Sequence, residues 1–190
     1  MAIYFTSDTH FRHKNILEFT DRPYPSIEEM ENDIIKNWNK VIHKTDTVYL
    51  LGDFCFGSYT DWIEVLNQLR GNIILIKGNH DKTKIINKVY KDGYLQGLHN
   101  VGELLTVDKF ALNLTHYPMF IGNRTRNYSI HGHIQQSDMI NQINIGVDSP
   151  FSKRLDKLFG TPISLEELMI ELKEINPLLE ENYLKERGIE

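Results

Sequence analysis

Carboxylates and imidazoles recur along this chain at the ends of short apolar runs, and these are the side chains that hold divalent cations. Asp8 and His10 follow Ile3-Tyr4-Phe5, Asp53 follows Val48-Tyr49-Leu50-Leu51, and Asn79, His80 and Asp81 follow Ile73-Ile74-Leu75-Ile76. His116 follows the run from Phe110 to Leu114, His131 and His133 follow Tyr128-Ser129-Ile130, and Asp148 closes the run from Ile143 to Val147. In open α/β sheets, ligands bind outside the carboxyl ends of the strands, so these residues should converge although they lie far apart in sequence. Oxygen and nitrogen donors with almost no sulfur suit hard or borderline metals, and one carboxylate can serve two cations. The chemistry expected of such a cluster is metal-assisted hydrolysis.

Taken singly, each residue also has a structural reading. Asp81 reads as the N-cap of the helix that follows it. His43 and His99 read as surface residues, and His13 is open between surface and site. What single readings do not explain is the joint occurrence at the ends of separate strand runs. Asp53 follows Gly52, which lets the backbone bend sharply. Asp8 and His10 are two apart and can face one side where a strand begins to turn. The dipeptide His80-Asp81 invites comparison with the HD phosphohydrolases, but those enzymes are helical and this pair follows a β-branched strand.

The order D-x-H, G-D, G-N-H-D, H and G-H resembles the calcineurin-like metallophosphoesterases over residues 3 to about 148. The opening Phe5-Thr6-Ser7-Asp8-Thr9-His10-Phe11-Arg12-His13-Lys14-Asn15-Ile16, with Asn144-Ile145-Gly146-Val147-Asp148, looks like a subgroup of small bacterial and phage phosphoesterases. The resemblance implies an α/β fold of four layers, an α/β/β/α sandwich with two sheets face to face. It implies a first metal held by Asp8, His10 and Asp53 and a second by Asp53, Asn79, His116 and His133, with His80 as the catalytic residue nearest the substrate. Hydrolysis would then use a hydroxide activated by the two metals. One departure stands out: the family has G-H-x-H, whereas this chain reads Gly132-His133-Ile134-Gln135. A glutamine oxygen is a weaker ligand than imidazole for transition metals, so the first metal binds loosely, uses Gln135, or is completed by water.

The elements that must position these residues alternate between strand and helix, as in an α/β architecture. Helices are expected from Ser26 to about Ile42, from Thr60 to Leu69, from Asp81 to Tyr90, and from Ser164 to just before Pro177. Ser26-Ile27-Glu28-Glu29 and Ser164-Leu165-Glu166-Glu167 have the form of capping boxes. Trp38 and Trp62 fall on the apolar stripes of these helices and read as core. Three loops, Phe11 to Pro25, Phe120 to Asn127 and Ser149 to Pro162, should rim the pocket. They carry His13, Arg124 and Arg126, for which phosphate contact competes with plain surface charge.

At 190 residues, 41% apolar and 25% charged, the chain fits one domain spanning 1–190. The net charge of −5 argues against an extended nucleic-acid surface, though bound cations would still admit a small phosphorylated substrate. The lone Cys55 reads as a buried hydrophobe, and the absence of an apolar leader or span leads to the expectation of a cytoplasmic protein outside the membrane. The metals expected are two divalent ions, manganese favoured by the oxygen-rich donors, with iron, zinc, nickel or magnesium as alternatives. A phosphodiesterase acting on small nucleotide-type diesters, cyclic nucleotides or dinucleotides included, ranks first. Tyr24, Tyr117, Phe120 and Tyr128 are available to stack on a base. Alternatives are a phosphomonoesterase, a nuclease on longer strands, and a non-catalytic scaffold with a weakened metal site.

Overall fold

The computed structural model describes residues 1–134 and 139–189. Strand alternation divides its core in two. A five-stranded sheet runs in the order β4-β3-β2-β1-β9, with β1 (Ile3–Thr6), β2 (Thr47–Leu50), β3 (Asn72–Ile76) and β4 (Gly97–His99) parallel. The short β9 (Ile163–Ser164) pairs antiparallel with β1. Val48, Leu50, Ile73 and Leu75 point to one face, where Met30, Ile34, Trp38, Trp62, Ile86 and Val89 cover them. Those residues come from α2 (Ile27–Val41), α3 (Tyr59–Leu66) and α4 (Thr83–Lys91). Phe5, Tyr49, Leu51 and Ile76 point the other way, against Leu112, Leu114, Tyr128 and Ile130 of the second sheet.

That second sheet runs β5-β6-β7-β8, from β5 (Gly102–Val107), β6 (Phe110–Thr115), β7 (Asn127–His131) and β8 (Gln142–Asn144). The β5-β6 pair is antiparallel and the rest is parallel. Phe151 of α5 (Pro150–Arg154), with Leu168, Met169, Leu172 and Leu179 of α6 (Leu165–Glu186), joins the core between the sheets. A bridge between Ser7 and Gly146 ties the two sheets together where β1 ends. This is the mixed α/β, two-sheet architecture that the sequence implied.

Several expectations about single elements are corrected. The last helix does not stop before Pro177 but continues to Glu186. Leu172 and Leu179, both fully buried, flank the proline and hold the helix to the core, so packing outweighs the missing amide. Asp81 is not an N-cap: α4 starts at Thr83, its N-cap is Lys82, and no side chain caps it. At α2 only the Ser26 arm of the expected box forms, accepting from the Glu29 amide. The complete boxes are Ser58 with Asp61, on a helix that starts at Tyr59 rather than Thr60, and Ser164 with Glu167. Two of the expected loops contain short helices, α1 (Ile16–Phe19) and α5. Trp38, Trp62 and Cys55 are buried, His43 is exposed, and His99 pairs with Glu103 at 3.1 Å. Among the described residues, no helix is long and apolar enough to cross a membrane.

Candidate metal centre

Beyond the end of the first sheet, the chains leaving β1 and β2 stay laterally bonded. The Asp8 amide donates to the Gly52 carbonyl, and the His10 amide to the Asp53 carbonyl, both at 3.0 Å. Within this ladder Asp8, His10 and Asp53 take left-handed backbones, with φ of 58°, 52° and 52°, and His133 does so at 65°. A non-glycine residue held there costs about 1–3 kcal/mol, and such strain gathers at functional sites. It turns side chains off the strand alternation and out past the sheet edge. Two glycines make room for them. A Cβ on Gly78 would lie 2.2 Å from Asp53 Oδ1, and one on Gly132 would lie 2.2 Å from Asp8 Oδ2.

The side chains converge on one atom. Asp53 Oδ2 lies 3.5 Å from His116 Nε2, 3.8 Å from His10 Nε2 and 4.0 Å from His80 Nε2. Asp8 Oδ1 is 3.9 Å from His10 Nε2, and Asn79 Oδ1 is 2.8 Å from His116 Nε2. The donors of Asp8, His10 and Asp53 lie within 4.8 Å of one another, and so do those of Asp53, His116 and His133. Asp53 belongs to both groups. His13 closes the near side, with its Nδ1 3.3 Å from His10 Nδ1 and its ring stacked on Phe56 at 4.2 Å.

Asp81 is the support beneath Asp53. Its buried carboxylate accepts the amides of Asp53, Phe54 and Gly78 at 3.0, 3.1 and 2.8 Å. It therefore ties the loop after β2 to the loop after β3. Burial pushes its pKa up to about 6 against the pull of those amides. Asp53 in turn accepts the His80 amide through Oδ1 at 2.9 Å, which leaves Oδ2 for the centre.

The donor set fits a divalent pair. Burial pushes Asp8 up to about 6 and His10 down to about 3, so His10 is a neutral imidazole with a lone pair to give. Burial likewise lowers His133 and His13. His116 Nδ1 lies 2.7 Å from the Leu51 carbonyl, which can only accept, so Nδ1 carries the proton. For a neutral ring, the Nε2 lone pair then faces the Asn79 oxygen, an arrangement that a cation between them satisfies. Burial opposes a charge on His116, but Asp53 outweighs it and raises the pKa. Positive charge is favoured at this point, as a proton or as a metal ion.

The sequence profile of calcineurin-like phosphoesterases matches residues 1–179. The chain belongs to that family. Similar proteins include an uncharacterized protein of Methanocaldococcus jannaschii, MJ1445, 46% identical over 82 residues that make up 42% of this chain and 47% of that protein. The gene 66 protein of Mycobacterium phage L5 is 36% identical over 88 residues, 45% of this chain and 42% of the phage protein. The matched segments thus cover less than half of either relative. Among solved structures, the crystal structure of AQ665 from Aquifex aeolicus, a protein of unknown function, matches with a TM-score of 0.66. It is 28% identical and aligned over 88% of this chain and 97% of its own.

Within this family member, some expected residues lie away from the cluster. Arg126 is exposed just before β7 begins, at the opposite end of that strand from His131, and its amide donates to Asn176 Oδ1. Arg124 is exposed on a loop whose neighbour Asn123 bonds Glu186 at the end of α6. Tyr128 is fully buried, with its hydroxyl on the Leu172 carbonyl, and presents no free face to a base; Tyr24 is half-buried and packs edge to face with Phe159. Gln135 lies outside the described residues. His131 is buried with Nδ1 2.7 Å from the Gly132 carbonyl, and it belongs to neither donor group among the described residues. The sequence reading missed Phe56, 42% exposed beside His80, and the support given by Asp81. Phe56 ends the run Asp53-Phe54-Cys55-Phe56, and that adjacency to a candidate ligand was the available signal.

Proposed function

We propose that this protein is a metal-dependent phosphoesterase that hydrolyses small nucleotide-type phosphodiesters. The observation that carries the reading is the single oxygen, Asp53 Oδ2, within 4.0 Å of the Nε2 atoms of His10, His80 and His116. A carboxylate so placed can serve two cations, with Asp8 and His10 completing one site and Asn79, His116 and His133 the other. When bound, the cations supply Lewis acidity toward a phosphoryl oxygen and a water acidic enough to attack near neutral pH. The carboxylate and amide oxygens of this set suit manganese, which ranks first, and its imidazoles also suit iron, nickel and zinc.

The chain's own groups do the rest. His80 is 42% exposed at its side chain and fixed from behind by the hydrogen bond that its backbone amide donates to Asp53. From there its Nε2 donates a hydrogen bond to a phosphoryl oxygen or a proton to the leaving oxygen. An aromatic rim suits a leaving group with a flat ring: Phe56 is 42% exposed with its centroid 5.1 Å from His80, and Tyr117 is 52% exposed at 4.5 Å from His133. Phe19, 69% exposed, meets the edge of His13. Stacking of a base on such a ring is worth about 1–3 kcal/mol.

The test compares bis-p-nitrophenyl phosphate, p-nitrophenyl phosphate, cyclic mono- and dinucleotides, and a single-stranded oligonucleotide, each with manganese, iron, magnesium, zinc or nickel. The diesters with manganese should turn over fastest. Preference for the monoester or the oligonucleotide overturns the substrate ranking, and no hydrolysis with any metal overturns the enzymatic reading.

A further inference from the structure

Asp148 closes the sixth apolar run but does not reach the metal cluster; it meets Arg22 instead. Arg22 follows α1, and its side chain is 0% exposed. Each of its three guanidinium nitrogens is engaged. Nε and Nη2 each lie 3.1 Å from Asp148 Oδ2. Nη1 donates to the Thr9 carbonyl at 3.0 Å and to Met30 Sδ at 3.5 Å, and Nη2 donates to the Asp8 carbonyl at 2.6 Å. The Phe159 ring lies 5.5 Å from the guanidinium carbon.

The two carbonyls that Arg22 holds belong to the peptides between Asp8 and Thr9 and between Thr9 and His10. Fixing those peptide planes fixes how the left-handed Asp8 and His10 leave the backbone. Asp148 is itself anchored from the second sheet, since the Val147 amide donates to the Ser7 carbonyl at 3.1 Å and Ser7 bridges Gly146. The other half of the cluster has separate supports. Asp81 holds Gly78 and Asp53, and the Leu51 carbonyl orients His116.

We propose that Arg22, held by Asp148, is a positioning residue for one half of the metal centre: it sets Asp8 and His10 for the first cation and leaves the site of Asn79, His116 and His133 untouched. This rests on the two-cation reading above. A lysine cannot replace it, because one ammonium lacks the planar fork that reaches two carbonyls and a carboxylate together. Groups that orient ligands in this way typically change metal affinity by about 10–100-fold.

The test is titration of the metal-free wild type, Arg22→Lys and Asp148→Asn with manganese, read by calorimetry and by manganese electron paramagnetic resonance. Circular dichroism and Tm report folding, and Asp148→Asn, which keeps side-chain volume and one carbonyl oxygen, carries the test if Arg22→Lys fails to fold. The wild type should bind two equivalents with the spectral signature of a coupled pair. In the variants one equivalent should weaken about 10–100-fold, the other should stay within about twofold, and the coupled signature should be lost at one equivalent. A fall in Tm with both affinities intact, both affinities falling together, or a wild type that binds fewer than two equivalents would overturn the proposal. A wild type that binds two equivalents and hydrolyses no phosphoester would instead sink the functional reading, and the clamp would stand or fall on the titration.

Discussion

At the scale of single residues, the proposed reading has Asp53 hold the cations and His80 act on the substrate. Asp53 is 3% exposed and strained, and its Oδ1 is spent on the His80 amide. His80 is exposed and outside both donor groups, so removing its ring should leave metal binding in place. His80→Ala is expected to lower kcat by about 10²–10⁴ with unchanged manganese content by elemental analysis. Loss of metal in that variant would move His80 from reacting group to ligand. Gly132 gives a complementary case. Its added Cβ would fall 2.1 Å from Ser7 Oγ and 2.2 Å from Asp8 Oδ2. Gly132→Ala should therefore displace Asp8 and weaken manganese binding at least tenfold by calorimetry, a loss of about 1.4 kcal/mol. A variant that binds manganese like the wild type would show that the loop yields without cost.

At the scale of elements, the ladder beyond β1 and β2 does what strand geometry alone does not. Strand runs and ligand types were legible in the sequence because each apolar run ends in a donor residue and the runs sit side by side in parallel sheets. The left-handed backbones were not legible beyond the hint from Gly52, since Asp and His carry no mark of φ. Asp81 had the look of a cap because an Asp before a helical run does so commonly, yet its bonds reach back to Asp53 and Phe54, far off in sequence. Arg22 and Asp148 are separated by 126 positions, and nothing local in either segment announces the pair. The helix α6 passes Pro177 because long-range burial of Leu179 outweighs a local rule. Its start is set by Ser164 and Glu167, with Lys157 Nζ 2.8 Å from Glu167 Oε2. Burial pushes the Glu167 pKa up, but Lys157 and Ser164 pull harder and hold it below the ordinary 4.5. A depressed carboxylate stabilises above its unfolded value and loses that contribution as pH falls through the folded one. Lys157→Met should thus cost about 0.2–1 kcal/mol at neutral pH, and the Tm gap to the wild type should close as pH falls below the ordinary 4.5. A gap constant from neutral to acid pH would assign the cost to lost packing instead.

At the scale of the whole molecule, the candidate metal centre is a seam. Asp8, His10, Asp53 and Asn79 come from the loops of the first sheet, His116 and His133 from the second. A cation pair would therefore join the two sheets as well as act on substrate, and its binding should stabilise the fold by mass action. At a manganese concentration 100 times the Kd, the gain is about 2.7 kcal/mol, so Tm should climb with manganese and fall on chelation. A Tm indifferent to both would separate the metals from the fold. The central claim, that one oxygen of Asp53 serves both halves, is tested most directly by counting manganese. Elemental analysis of wild type and Asp53→Asn, at equal protein concentration and after the same manganese loading, gives the answer. Two equivalents in the wild type and fewer than one in the variant is the result expected, with circular dichroism unchanged. Two equivalents retained by Asp53→Asn would contradict it.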